Sequence, residues 1–426
     1  MKNSTLIIIT TLVFISALLP IFSGYSICFF ALMYLAKSKH LKLTSINPLG
    51  TTYYSCLKPI AIGSLTLTMI LLLTNIGSAI QYPYAPTVAS AFSKWSHLMV
   101  KYALLPMVLC LFGALLHKQL SERSQLVDTI AKAYLSLTAL HFVYAIVQSR
   151  TGIDWVHGFD AILGEHRKSG EIFRISGFMA HPLTLSYNLG LLFLATACLS
   201  RGVSKNFNHL KLYLYAAATF LALTLLISGS RAPIILTLGC SVLLFHKEIL
   251  THWKKYILLS TTAAGLLIWE GSLLRRFAEL FENSDSIYDL PRFKFWSVHW
   301  QAFLDHPILG TGIKGRSQAI EPYYQSIGFI EKQYNAHNIY LQFLADSGLI
   351  GFTGFFVFCI CLLLSCYRIS QLSKNVTIFV FPFLMMISGI IQNNWRDSEI
   401  VYCFWLCFFT LTFVQISAAT KPLTNR

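Results

Sequence analysis

His337 is either a structural histidine or a base for proton transfer, and its neighbours favour the base. It stands in Asn335-Ala336-His337-Asn338-Ile339-Tyr340-Leu341, at the start of an apolar stretch. Its imidazole is therefore hydrated on one side and walled by apolar residues on the other. An imidazole titrating near pH 6.5 can take a proton from a hydroxyl at neutral pH, and Asn335 and Asn338 are placed to orient the ring. Arg231 follows Ser228-Gly229-Ser230, where two apolar runs are joined by only a few residues. Either its planar guanidinium grips an anion there, or it snorkels to an interface without a ligand. Arg174 and His181 flank the mouth of another apolar run in Arg174-Ile175-Ser176-Gly177-Phe178-Met179-Ala180-His181-Pro182. Pro182 fits the first turn of a helix, and His181 is either its polar cap or part of a site. There is no phosphate-binding G-x-x-x-x-G-K-[ST] loop, no D-x-D, and no cluster with metal-ligand spacing. Asp397 and Glu399, the one close carboxylate pair, read as a solvated turn. The chemistry on offer is anion recognition by arginines beside one histidine base, with no metal and no cofactor.

The elements that must position these residues are membrane helices. Of 426 residues, 55% are hydrophobic and only 12% charged, and the mean hydropathy is +0.59. Soluble domains carry about 25% charged residues, so this composition defines an all-α integral membrane protein. At about 20 residues per crossing, the chain divides into about twelve transmembrane helices. They fall near 5–20, 22–36, 59–80, 98–116, 126–149, 180–199, 212–228, 232–246, 256–270, 338–366, 376–393 and 401–418. Basic residues favour cytoplasmic loops. With both termini cytoplasmic, the inner loops and tails hold the whole net charge of +15, with Glu122 and Glu248 as their only acids. The basicity is a topology signal, and nucleic-acid binding is excluded as its explanation. All ten cysteines fall in spans or inner loops, away from the face where an oxidising compartment would pair them.

The chain is expected to form one polytopic membrane domain over 1–426 with two long outer segments, 148–179 and 271–337. Long loops tend to carry function. Within the second, Pro291–Leu304 spaces Phe293, Trp296, Trp300 and Phe303 as an amphipathic helix at the outer interface. His306-Pro307-Ile308-Leu309-Gly310-Thr311-Gly312 then breaks it. Lys132 and Asp346 lie inside expected spans, where they either pair or line a cavity.

Taken together these pieces resemble the O-antigen ligase and polymerase superfamily of bacterial inner-membrane proteins. The resemblance rests on Arg174-x-x-Gly177 with His181-Pro182, Ser230-Arg231-Ala232 and Arg292-x-x-x-Trp296. It rests also on His306-Pro307-x-x-Gly310-x-Gly312, and on Ala336-His337-Asn338-x-Tyr340-Leu341 followed by Gly348. It implies a GT-C-type glycosyltransferase acting at the periplasmic face of the inner membrane. The implied donor is a glycan on undecaprenyl diphosphate, and the acceptor of a ligase is a hydroxyl of the lipid A–core oligosaccharide. Arg231 and Arg292, joined by Arg174, would hold the diphosphate, and His337 would deprotonate the acceptor, with Asn338 and His181 beside the substrate. The reaction would be metal-independent and inverting. A ligase ranks ahead of a polymerase, which would extend the glycan on a second carrier, because one large outer loop leads directly into the His337 motif. A lipid-linked glycan transporter ranks below both, since charges collect at the outer mouth and not at the bilayer midplane.

Overall fold

The computed structural model describes residues 48–81, 88–109, 123–156, 168–169, 172–202, 208–251, 291–312, 316–328 and 335–419. The spans expected at 5–20, 22–36 and 256–270 lie outside these residues, as do 157–167 and 271–290 of the two outer segments. Apart from one short antiparallel pair the described residues build helices. Five of these are long and apolar enough to cross a membrane: Tyr54–Gln81, Pro182–Arg201, His209–Ile227, Ile339–Ser373 and Ser398–Ile416. The chain divides into two compact units.

The first unit contains α1 to α4, which in chain order are Arg123–Thr151, Pro182–Gly202, Asn208–Ile227 and Arg231–Thr251. A two-residue strand pair, β1 (Lys168–Ser169) with β2 (Ile172–Phe173), precedes α2. Helix α2 buries Leu185, Tyr187, Leu189, Leu191, Leu192, Leu194 and Ala195. A helix apolar on every side belongs in the interior, and α2 packs against both α3 and α4. It begins at Pro182, whose missing N–H costs nothing in a first turn. The Leu183 N–H donates to His181 Nδ1 at 3.1 Å. His181 is thus the polar cap of α2.

The second unit contains α5 (Pro48–Gln81) and α6 (Val88–Met99), the latter running into a π-helical stretch, Val100–Leu104. It then contains α7 (Pro291–Asp305), α8 (Arg316–Ser326), α9 (Ile339–Ser373) and α10 (Val380–Ser388). A turn over 389–397 leads into α11, Ser398–Ala419, which belongs to this unit through Trp405. Helices α5 and α9 lie along one another: a Cβ on Gly63 would come 2.6 Å from the Cβ of Cys361. Small residues allow such close backbone approach in membrane helix pairs.

The two spans around His337 and the 389–397 turn differ from their sequence expectation. The stretch read as 338–366 is a 35-residue helix, about 52 Å long at 1.5 Å per residue, and a bilayer core is only about 30 Å thick. It is also broken: Gly348 has φ 60° and ψ −165°, which separates a short initial segment from the long apolar one. The span expected at 376–393 stops as a helix at Ser388, because 389–397 turns back toward the start of α9, where the Ile339 N–H donates to the Gly389 carbonyl at 2.8 Å.

Candidate active site

The break in α9 explains the His306–Gly312 motif. Residues 307–312 take up backbone groups that the break leaves without helical partners. The Thr311 and Gly312 N–H groups donate to the Ala345 and Asp346 carbonyls at 2.8 and 2.9 Å, and the Leu349 N–H donates to the Pro307 carbonyl at 2.8 Å. Gly310 has φ 70°, and a Cβ there would meet the Ser347 nitrogen at 2.4 Å. The motif does more than end α7. It joins α7 to the break and so fixes the segment of α9 that begins beside His337.

Helix α7 ends within one residue of its expected limit, but its inner face differs from the expected aromatic stripe. Phe295, Val298 and Ala302 pack with Ile320 and Tyr324 of α8 and Ala345 of α9. Trp300 is exposed, and Phe293 and Trp296 are half-buried. Phe295 stacks on His337 with ring centroids 6.2 Å apart. Arg292, exposed and three residues earlier, lies on the same helical face as Phe295.

His337 sits at φ 48°, a left-handed conformation that a non-glycine residue keeps only where its surroundings enforce it. Its N–H donates to Asn335 Oδ1 at 2.9 Å, and the preceding Ala336 N–H donates to Gln342 Oε1 at 3.1 Å. Asn393 spans both supports, its amide donating to Asn335 Oδ1 and, at 2.8 Å, to Gln342 Oε1. Gln342 donates in turn to both oxygens of Asp346 at 3.0 Å, and Asp346, fully buried, is paired with Arg396. The imidazole Nδ1 lies 3.1 Å from Gln392 Oε1. Asn338 accepts from the Tyr340 and Leu341 N–H groups at 3.0 and 3.1 Å, as N-cap residues do.

From the sequence, Asn335 and Asn338 are expected to orient the ring. The structure gives Asn335 the backbone of His337, Asn338 the helix start, and Gln392 the ring. The carboxylate of Asp346 is taken by Arg396 and Gln342. Gln392, Asn393 and Arg396 went unread because they come from the 389–397 turn, which hydropathy assigned partly to a span. Their one signal was a run of polar side chains, Gln392 to Asn394, at the end of an apolar stretch. Lys101, buried within the expected fourth span, also went unread. Its ammonium donates to the Arg396 carbonyl, the Tyr102 hydroxyl donates to the Trp395 carbonyl, and the Trp405 indole closes on the Lys101 carbonyl at 3.1 Å. These contacts anchor the turn.

The first unit brings together Arg174 and Arg231. Burial, and then the positive charge of Arg231, lowers the pKa of Arg174 from its ordinary value. Two neighbouring guanidiniums, one of them desolvated, suit a multiply charged anion. Arg231 begins α4, directly after the Ser228-Gly229-Ser230 turn, where Ser186 donates to Ser228 Oγ at 2.9 Å. The segment after Arg174 is held from α1: Gln148 Oε1 accepts from the Ser176 and Gly177 N–H groups at 3.1 and 2.8 Å. The buried Asp154 accepts from the Tyr144 hydroxyl at 3.0 Å and from Ser176 Oγ at 3.3 Å.

The described residues thus include apolar helices of spanning length, two neighbouring arginines in the first unit and a constrained histidine in the second. Residues 216–356, about a third of the chain, match the family model described as O-antigen ligase, and this match supports membership in the O-antigen ligase and polymerase superfamily. The matched stretch includes Arg231, Arg292, the His306–Gly312 motif, His337 and Gly348. No curated protein matches the chain.

Proposed function

We propose that the protein is an O-antigen ligase of the bacterial inner membrane, a twelve-span enzyme with both termini cytoplasmic and its site facing the periplasm. It transfers a glycan from undecaprenyl diphosphate to a hydroxyl of the lipid A–core oligosaccharide. The observation that carries this reading is the constrained His337, held on its backbone by Asn335 and on its ring by Gln392, on a helix start that stacks against the helix of Arg292.

In this reading His337 takes the proton of the acceptor hydroxyl as its oxygen attacks the anomeric carbon. The bond from that carbon to the diphosphate oxygen breaks, its electron pair leaves with the diphosphate, and the configuration inverts. Arg231 and Arg292, with Arg174, stabilise the charge that develops on the leaving group. Removing such a stabiliser typically costs about 10²–10³ in rate, and a positioned base contributes about 10²–10⁴. Diphosphate leaves readily without protonation, so the step calls for neither a metal nor a cofactor. His181 and Asn338 are further substrate contacts in this reading.

The test is lipopolysaccharide gel profiling of a deletion strain complemented with wild type, His337→Ala or Arg231→Ala, with carrier-linked glycans analysed alongside. A ligase predicts bare lipid A–core and long glycan accumulating on undecaprenyl diphosphate, in the deletion and in well-expressed variants alike. Core capped with a single repeat unit would instead identify a polymerase. Donor accumulating only on the cytoplasmic face would replace glycosyl transfer with transport.

A further inference from the structure

We propose that Gln392 is a positioning residue for His337: its side-chain oxygen holds the Nδ1 proton and so presents the Nε2 lone pair as the base. This rests on the reading of His337 as the base. A neutral imidazole has one donor and one acceptor nitrogen, and the partner of one decides the state of the other. Gln392 Oε1 at 3.1 Å from Nδ1 is an acceptor, which puts the proton on Nδ1. Gln392 is itself buried, in the turn anchored by Lys101 and Tyr102. Its neighbour Asn393 fixes Asn335 and Gln342, which hold the backbone on either side of the Ala336–His337 bond. One dipeptide, Gln392-Asn393, therefore sets both the ring and the left-handed backbone of the base. It lies outside the segment that matches the ligase family.

The choice of an amide has a consequence. A carboxylate in this place would also accept from Nδ1, but its charge would stabilise the imidazolium and raise the pKa of the base. The titratable and charged groups on the surrounding elements include Arg292, Lys294, His299 and Asp305 on α7, and Glu321, Tyr323 and Tyr324 on α8, where the Tyr323 hydroxyl donates to Asp305. On α9 and in the turn they are Tyr340, Asp346, Arg396 and Asp397, of which Asp346 and Arg396 are paired with each other. A neutral amide orients the ring without adding a charge to this set.

The experiment uses the full-length protein in lipid nanodiscs, with a purified undecaprenyl-diphosphate-linked glycan as donor and lipid A–core as acceptor. It compares wild type, His337→Ala, Gln392→Met and Gln392→Glu. Gln392→Met keeps the length of the side chain but loses the acceptor, and should lower kcat by about 10- to 100-fold, part of what a positioned base supplies, with KM for the donor little changed. Gln392→Glu restores the acceptor. It should recover most of kcat while moving the acidic limb of the kcat–pH profile upward by about 1–3 pH units. Wild-type kcat in Gln392→Met, or an unmoved acidic limb in Gln392→Glu beside an inactive His337→Ala, overturns the positioning role alone. Should Gln392→Met not fold, the Gln392→Glu profile decides by itself. Wild-type turnover in His337→Ala overturns the base and its positioning together.

Discussion

Replacing Gly348 by alanine tests whether the broken helix is a built feature of the site. With φ 60° and ψ −165°, Gly348 occupies a region of backbone space used almost only by glycine, and forcing another residue into it costs about 1–3 kcal/mol. The added Cβ would stand 2.2 Å from the Ile308 carbonyl oxygen and 2.3 Å from its carbon. Those atoms are backbone and cannot swing away, because Leu349 and Ile350 hydrogen-bond to the Pro307 and Ile308 carbonyls. Overpacking of this kind adds about 1–3 kcal/mol, for a total of about 2–6 kcal/mol out of a typical stability of 5–15. Gly348→Ala, purified in detergent, should melt about 2–7 °C below wild type for a chain of this length and lose transfer activity, since the segment that starts beside His337 loses its brace. Gly239→Ala on α4 is the control. Nothing lies within 4 Å of its added Cβ, and alanine in a helix gains about 0.5–1 kcal/mol over glycine. Gly348→Ala melting with the wild type would refute the reasoning.

Three further outcomes are expected. Arg396→Met leaves the Asp346 carboxylate buried and unpaired and should destabilise the protein by about 3–5 kcal/mol; adding Asp346→Asn should restore much of the loss in a melting experiment. Gln148→Leu leaves the Ser176 and Gly177 N–H groups buried without their acceptor, at about 1–3 kcal/mol each. It should also raise KM for the lipid-linked donor, because the segment following Arg174 is released, and an unchanged KM would separate Gln148 from the site. Burial, opposed by Asp305, lowers the pKa of His306, so the folded state keeps this imidazole neutral where the unfolded chain would protonate it. Its contribution to stability is complete above the unfolded pKa of about 6.5 and is lost as pH falls through the folded value. Melting temperatures measured from pH 7.5 down to 5 should decline, and His306→Gln should flatten that part of the decline.

Local features of the site were legible in the sequence. Pro291 and the aromatic spacing placed α7 to within a residue, Pro182 and His181 marked a capped helix start, and Arg231 stood where α4 begins. Each of these signals is carried by neighbours along the chain. The support of His337 is not local. Gln392, Asn393 and Arg396 reach it from more than fifty positions away, and no spacing rule links them to Asn335, Gln342 or Asp346. Hydropathy also misled at the two places that matter most for that support. Averaging over a window carried the span near 376 beyond Ser388 into the polar turn, and it ran the preceding span straight through the break at Gly348. A break satisfied by a separate segment, here residues 307–312, leaves the mean apolarity of a helix unchanged and so is invisible to that measure.

The most direct test of the account is a single-turnover assay of His337→Gln in nanodiscs holding undecaprenyl-diphosphate-linked glycan and lipid A–core. The substitution keeps a polar side chain of similar reach but supplies no base. The account predicts that the donor still binds and that transfer to the core slows by about 10²–10⁴. Transfer at the wild-type rate would contradict it.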